Sequence, residues 1–120
     1  MFCAIIPTIH EQAALVLEMT PKECFDLLAS SQPPVLLDVR EDWELAIASL
    51  PAALHIPMDQ VPGRMDELDN KRPVVVMCRS GARSMQVASY LVQNGFPQVF
   101  NLEGGILAWS ETVDQSIPSY

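Results

Sequence analysis

The apolar residues of the chain fall into short runs separated by segments with helical periodicity. Val74–Met77 is continuously apolar and mostly β-branched, which is typical of a strand buried on both faces of a parallel sheet. Other short strands are predicted at 15–17, 35–38, 54–56 and 99–101. Because helical segments separate these strands, we expect an α/β fold with a central, mostly parallel sheet of about five strands and helices on both faces.

Helix signals fill the intervals between these strands. Thr20-Pro21-Lys22-Glu23 combines a capping box with proline at the first helical position, and it starts a helix that is predicted to continue to about Ser30. The apolar stripe of that helix, which is expected to face the sheet, consists of Cys24, Leu27 and Leu28. The other predicted helical segments are 41–46, a broken pair of turns at 58–68, 82–94 and 106–110.

Cys78 ends the central apolar run, and the small, polar and basic residues 79–84 lead from it into a helix. The free backbone N–H groups and the dipole at a helix N-terminus favour an anion, and Arg79 and Arg83 add positive charge. Such neighbours lower the pKa of a thiol, so Cys78 is predicted to be a nucleophile at neutral pH. The alternative is a structural cysteine at a strand end, but its polar and basic neighbours are poor core residues.

Composition narrows the classes of partner. The 120 residues suffice for one domain, and a formal net charge of −8 argues against nucleic acid or an anionic membrane as a partner. The three cysteines lack the spacing of metal ligands, so we expect neither a metal nor another cofactor. No apolar run approaches the roughly 20 residues that span a bilayer, and the first residues do not have the pattern of a secretory signal. We therefore expect a soluble, cytoplasmic protein.

The segment Cys78-Arg79-Ser80-Gly81-Ala82-Arg83-Ser84 resembles the active-site loop of the rhodanese (sulfurtransferase) domain. The resemblance runs from about Leu17 to Trp109 and includes the motifs at 36–41, 54–57, 94–99 and 102–109. At Ala48-Ser49 and Ala52 the family more often has Gly-His and Gly, whose side chains the chemistry does not use. We therefore divide the chain into an N-terminal extension at 1–14, a rhodanese-like domain at 15–112 and a C-terminal tail at 113–120.

This resemblance implies sulfur transfer. Four residues separate Cys78 from Arg83, whereas tyrosine and dual-specificity phosphatases have one residue more, so the shorter loop suits a single sulfur rather than a phosphate. The implied reaction stores the outer sulfur of a donor such as thiosulfate as a Cys78 persulfide and then passes it to an acceptor. The acceptor that the resemblance implies is a small thiol, cyanide or a sulfur-carrier protein. The tail resembles that of small stand-alone bacterial rhodaneses and of rhodanese domains fused to sulfur-carrier activating enzymes, which points to a protein acceptor. The alternative is a tail that simply lies over the sheet edge.

The resemblance also assigns roles within the loop. Cys78 and Arg83 are the expected catalytic residues, with Arg83 aimed inward to neutralise the anionic sulfur and the leaving sulfite. Arg79 at the rim is expected to recruit an anionic donor, and backbone N–H groups of the loop are expected to surround the persulfide. The predicted substrate-binding residues are Arg79, Ser80, Gly81, Ala82 and Ser84.

Asp38 and Arg40 follow another strand, whose carboxyl end lies at the same edge of a parallel sheet as Cys78. They either shape the pocket or form a structural ion pair that holds their loop, and we favour the ion pair. Trp43 and Trp109 are expected to cover core surface.

Two other classes of function stay open. A phosphatase or arsenate reductase-like enzyme would use the same cysteine and arginine, although with a longer loop between them. A non-catalytic binding module would keep the fold without turnover, which the presence of both Cys78 and Arg83 disfavours.

Overall fold

A central sheet of five parallel strands organises the protein in a computed structural model that describes residues 15–120. The strands are β1 (Leu17–Met19), β2 (Val35–Asp38), β3 (Leu54–His55), β4 (Val74–Met77) and β5 (Val99–Leu102). Their order in the sheet is β1-β5-β4-β2-β3, which places β4 at the centre with all four residues buried. The predicted α/β fold with a parallel sheet of about five strands is therefore confirmed.

Among the described residues four helices connect the strands, and a fifth follows β5. They are α1 (Pro21–Leu28), α2 (Asp42–Ile47), α3 (Val61–Arg64), α4 (Ala82–Gln93) and α5 (Gly105–Thr112), with 3₁₀ turns at Met58–Gln60 and Met65–Glu67 on either side of α3. The predicted capping box of α1 is present: Glu23 N–H donates to Thr20 Oγ1 at 3.2 Å, and Thr20 N–H donates to Glu23 Oε1 at 2.9 Å. These bonds stabilise the start of the helix.

A hydrophobic cluster lies on each face of the sheet because successive side chains of β4 point to opposite sides. Val74 and Val76 belong to the cluster that includes the buried face of α4, whereas Val75 and Met77 belong to the one that includes α1 and α5. Burying side chains of this kind contributes about 1.5–3 kcal/mol each. This packing on both faces fixes β4, and therefore fixes the position of the residue that follows it.

Several local predictions were wrong. The first strand is Leu17–Met19 rather than 15–17, because Leu15 lies in a turn and pairing with β5 begins at Leu17. Leu27 was expected to face the sheet but is 41% exposed. Trp43 is 62% exposed and packs edge-on against Tyr120, whereas Trp109 is buried as expected.

The tail that follows α5 lies against the cluster of α1 and α5. Val113, Ile117 and Tyr120 pack on this cluster, and Ser110 Oγ donates to the backbone oxygen of Ile117 at 2.6 Å. The predicted extension at 1–14 is outside the described residues. Among residues 15–120, no helix combines the length and the apolar character needed to cross a membrane.

Candidate active site

Cys78 lies at the carboxyl end of β4, in the loop that leads into α4, and is 1% exposed. The N–H of Gly81 donates to Cys78 Sγ at 3.0 Å, and Ser84 Oγ lies 3.2 Å from the same sulfur. Gly81 has φ +113°, a conformation that other residues rarely adopt, so the turn of the loop into α4 favours a glycine at this position. The structure therefore brings the predicted nucleophile, Gly81 and Ser84 together.

These hydrogen bonds change the acidity of the thiol. Burial by itself raises the pKa of Cys78, but the Ser84 hydroxyl and the backbone N–H groups of Ser84, Gly81 and Ser80 outweigh it, so the net pKa is lowered. Cys24 has no such donors, and burial raises its pKa to about 12. Two buried cysteines of one domain thus differ in acidity because only one has hydrogen-bond donors around its sulfur.

The start of α5 holds the cysteine loop through backbone hydrogen bonds. Ile106 N–H donates to the carbonyl oxygen of Cys78 at 3.0 Å, and Leu107 N–H donates to that of Arg79 at 3.2 Å. Gly105 has φ +61°, and a Cβ atom at this position would collide with both carbonyl groups. A glycine is therefore required here for α5 to approach the loop and hold it by its free N–H groups.

Arg83 is bound to a carboxylate that the sequence did not indicate. Its Nη1 and Nη2 donate to Glu44 Oε2 and Oε1 at 2.7 and 2.8 Å, while Glu44 on α2 is 2% exposed. This bidentate contact with Arg83 holds the pKa of Glu44 at about 2, against its burial. Arg83 was expected to point inward and to neutralise the anionic sulfur. Its positive charge is attracted to the Cys78 thiolate, but the direction of its side chain is set by Glu44, which the sequence prediction did not include.

Asp38 and Arg40 form a buried ion pair. The Nε and Nη2 atoms of Arg40 donate to Asp38 Oδ1 and Oδ2 at 3.0 and 2.8 Å, and Nη2 also donates to the carbonyl oxygen of Ala48 at 2.8 Å. Both side chains are at most 1% exposed. These contacts tie the loop after β2 to the end of α2. This is the geometry expected if the ion pair holds its loop, the alternative that we favoured over a role in shaping the pocket.

Tyr120 links this ion pair to the Arg83 contact. Its hydroxyl accepts a hydrogen bond from Arg40 Nη1 and donates one to Glu44 Oε1, both at 2.8 Å. Arg79 lies over the Tyr120 ring, 5.2 Å from its centroid, and its Nε donates to the backbone oxygen of Tyr120 at 2.6 Å. The tail therefore reaches the predicted rim of the site and contacts the arginine that was expected there.

Sequence reasoning missed three side chains of this network: Glu44, Asn101 and Tyr120. Asn101 in β5 is 3% exposed, and its Oδ1 accepts a hydrogen bond from Ser84 Oγ at 2.5 Å. A buried asparagine at the carboxyl end of a parallel strand was a usable signal, since such groups need partners and this edge of a sheet carries ligand sites. Glu44 and Tyr120 gave no comparable local signal.

No other feature of residues 15–120 competes with the cysteine loop as a site. No group of histidine, cysteine and carboxylate side chains in this part of the chain is arranged to hold a metal ion. A cavity of about 730 Å³ lies between α1, α5 and the tail, but its lining is mostly apolar, includes Phe25, Leu28 and Ile117, and contains none of residues 78–84.

The fold and the loop together define the class of protein: an α/β domain that carries a buried cysteine, with hydrogen-bond partners around its sulfur, at the carboxyl edge of a parallel sheet. The family model of the rhodanese-like domain matches residues 20–112. The chain therefore belongs to the rhodanese-like family, which confirms the resemblance found in its sequence.

Similar proteins carry sulfurtransferase names. A sulfurtransferase of Allochromatium vinosum is 43% identical over 96 residues, covering 80% of this chain and 90% of that protein. The putative sulfurtransferase YtwF of Bacillus subtilis is 50% identical over 74 residues, covering 62% and 71%. The crystal structure of a rhodanese-like domain protein from Staphylococcus aureus matches with a TM-score of 0.75 and 32% identity, covering 88% of this chain and 99% of that one.

Proposed function

We propose that the protein is a sulfurtransferase that moves a sulfane sulfur from an anionic donor such as thiosulfate to a thiophilic acceptor through a persulfide on Cys78. The observation that carries this proposal is the set of hydrogen-bond donors around the Cys78 sulfur, with Gly81 N–H at 3.0 Å. These donors lower the pKa of a buried thiol and can also stabilise the negative charge of a persulfide.

The reaction proceeds in two displacements. The Cys78 thiolate attacks the outer sulfur of thiosulfate, the new S–S bond forms as the bond to the sulfite group breaks, and sulfite leaves with the electron pair of that bond. The anionic Cys78 persulfide then gives its terminal sulfur to an acceptor thiolate or cyanide, and the Cys78 thiolate returns as the leaving group. Charge and sulfur balance in both steps, so neither an oxidant nor a cofactor is needed.

The loop residues have distinct roles in this scheme. Cys78 is the nucleophile, and backbone N–H groups of Ser80, Gly81 and Ser84 hold the sulfur charge. Arg83, kept in place by Glu44, neutralises charge on the donor and on the leaving sulfite. Arg79 and the backbone around Ala82 complete the binding of the donor at the rim.

The proposed acceptor is a small thiol, cyanide or a sulfur-carrier protein. Support for a protein acceptor comes from the resemblance of the tail to that of rhodanese domains fused to sulfur-carrier activating enzymes. Tyr120 of this tail contacts Arg79 at the rim. Cys24 and Cys78, the cysteines within residues 15–120, are both free thiols. This fits the reducing conditions of the cytoplasm, where we place the protein.

The test is the release of sulfite from thiosulfate, with cyanide or a small thiol as acceptor. We expect double-displacement kinetics, complete loss of turnover in Cys78→Ser, and retained turnover in the control Cys24→Ser. Aryl phosphates should be nearly inert. Phosphatase turnover that exceeds sulfur transfer and disappears in Cys78→Ser would overturn the proposal in favour of a phosphatase, and a complete lack of turnover would favour a binding module.

A further inference from the structure

The Ser84 hydroxyl lies between two buried groups that both compete for its single proton. Ser84 Oγ is 3.2 Å from Cys78 Sγ and 2.5 Å from Asn101 Oδ1, and all three side chains are at most 3% exposed. A hydroxyl group can donate only one hydrogen bond, although it can accept two. The direction of this proton therefore decides what Ser84 offers to the cysteine.

The orientation of the Asn101 amide follows from its other contacts. Its Nδ2 lies 3.3 Å from the carbonyl oxygen of Gly81 and 3.4 Å from Glu18 Oε1, and both of these atoms only accept hydrogen bonds. The opposite orientation would place an oxygen against two acceptors. Asn101 Oδ1 must therefore face Ser84, and it needs the Ser84 proton because the hydroxyl is its donor.

We propose that Asn101 is a positioning residue that competes with Cys78 for the Ser84 proton and so favours states in which the Cys78 sulfur carries no charge. With a neutral thiol, Cys78 S–H donates to Ser84 and Ser84 donates to Asn101, which makes two hydrogen bonds. With a thiolate, the hydroxyl must turn to Cys78, and Asn101 Oδ1 loses its donor. Ionisation of Cys78 thus costs one buried hydrogen bond.

The same competition acts during sulfur transfer, and this part of the inference rests on the proposed function. In the Cys78 persulfide the charge lies on the outer sulfur, so the Ser84 hydroxyl can turn back to Asn101. Asn101 thereby favours the persulfide over the free thiolate and assists the first displacement.

Other charged groups face this cluster from neighbouring elements. Arg83 on α4 attracts the thiolate, and it is paired with Glu44 from α2. Glu18 on β1 touches the amide of Asn101. A substitution of Asn101 by a neutral residue leaves all of these charges in place, so its effect on Cys78 reports the hydrogen bond and not a changed charge.

The experiment measures the rate of Cys78 alkylation by iodoacetamide against pH, with the labelled peptide quantified by mass spectrometry. Asn101→Leu removes the competing acceptor, so we expect the midpoint for Cys78 to fall by about one pH unit, a tenfold change of the size that one buried neutral hydrogen bond, such as that from Ser84 to Asn101, can produce. Ser84→Ala should raise the midpoint. The double variant should match Ser84→Ala, because Asn101 acts only through the hydroxyl.

A merely structural role of Asn101 gives the opposite result. Loss of its contact with Gly81 would loosen the loop, weaken the donor to Cys78 and raise the midpoint, with or without Ser84. An unchanged or raised midpoint in Asn101→Leu, or an equal fall in the Ser84→Ala background, overturns the proposal. Because alkylation does not need sulfur transfer, this outcome is distinct from a failure to form the persulfide.

A second measurement needs no substitution at Asn101. The infrared S–H stretch of Cys78, assigned by its loss in Cys78→Ser, is recorded at a pH below the midpoint. If the thiol donates to Ser84, the band lies at lower frequency in the unsubstituted protein than in Ser84→Ala. Equal frequencies would show that the thiol does not donate to Ser84, and the proposal would fail.

Discussion

Arg83 at the start of α4 is held by Glu44 of α2 through two hydrogen bonds of 2.7 and 2.8 Å. The residues are 39 positions apart in the chain, and the pair connects the start of α4, directly after the cysteine loop, with α2. Glu44 is buried, whereas the Arg83 side chain remains 35% exposed and can still meet an anion from solvent. Glu44 therefore sets where this positive charge lies.

The first prediction concerns this charge. Arg83→Ala should reduce kcat/KM for thiosulfate by about two orders of magnitude, since a lost charge-assisted contact in a transition state costs roughly 2–4 kcal/mol. Glu44→Gln leaves the positive charge of Arg83 in place but removes the carboxylate that pairs with it. A smaller reduction in kcat/KM is therefore expected for this variant. Stopped-flow measurement of sulfite release in the first displacement tests both variants.

Arg83→Lys is the control for this prediction, because it keeps the charge but cannot form the bidentate contact with Glu44. It should fall between the unsubstituted protein and Arg83→Ala. If Arg83→Ala were kinetically silent, the role assigned to this arginine would be wrong.

The second prediction concerns Arg79 at the rim. Arg79→Ala should raise KM for thiosulfate and flatten its dependence on salt concentration, with little change in kcat, because an exposed charge mainly steers an anionic donor toward the site. Steady-state kinetics at several ionic strengths test this. Tyr120→Phe is a matched control that keeps the ring beside Arg79 while removing the hydroxyl. A collapse of kcat in Arg79→Ala would instead place Arg79 at the reacting sulfur.

The third prediction is a pH dependence of stability. The folded-state pKa of Glu44 is lowered from 4.5 to about 2 by Arg83, so its carboxylate stabilises the protein above the unfolded value. That contribution is lost as the pH falls from about 4.5 toward 2. Allowing for solvent around Arg83, it amounts to about 1–3 kcal/mol.

Urea unfolding at a series of pH values measures this contribution. Glu44→Gln should be less stable than the unsubstituted protein at neutral pH, and the difference between the two free energies of unfolding should shrink toward pH 2. A difference that stays constant over this range would mean that the ionisation of Glu44 is not involved.

The fourth prediction compares the two cysteines of the described domain. At mildly acidic pH, iodoacetamide should label Cys78 well before Cys24, because hydrogen bonds lower the pKa of Cys78 while burial raises that of Cys24 to about 12. Peptide mass spectrometry gives both rates in one sample. Equal rates, or a faster reaction of Cys24, would remove the argument for an activated thiolate.

The sequence was most informative where local pattern decides structure. The continuous apolar run of β4, the small and basic residues after Cys78 and the capping box at Thr20 each have a short-range physical cause, and the structure has these elements where they were predicted. Edges were harder to place. β1 starts at Leu17 because its pairing with β5 begins there. The apolar run at 15–17 does not by itself determine the residue at which this pairing starts.

Contacts between distant residues could not be predicted. Arg40 and Tyr120 are 80 positions apart, and Arg83 and Glu44 are 39 apart, so no spacing in the sequence relates them. The sequence therefore identified Arg83 as a charge near the cysteine but not the carboxylate that orients it. The contact of Trp43 is also with a distant residue, because its ring packs edge-on against Tyr120 of the tail.

The most direct test of sulfur transfer through Cys78 is the intact mass of the protein before and after incubation with thiosulfate. The reduced protein is treated, freed of excess reagent and measured, and the modified peptide is then identified. We predict a gain of one sulfur atom on Cys78, its removal by cyanide, and no gain in Cys78→Ser, whereas Cys24→Ser should gain sulfur normally. No added sulfur in the folded, reduced protein, or an equal gain in Cys78→Ser, would contradict the proposed mechanism.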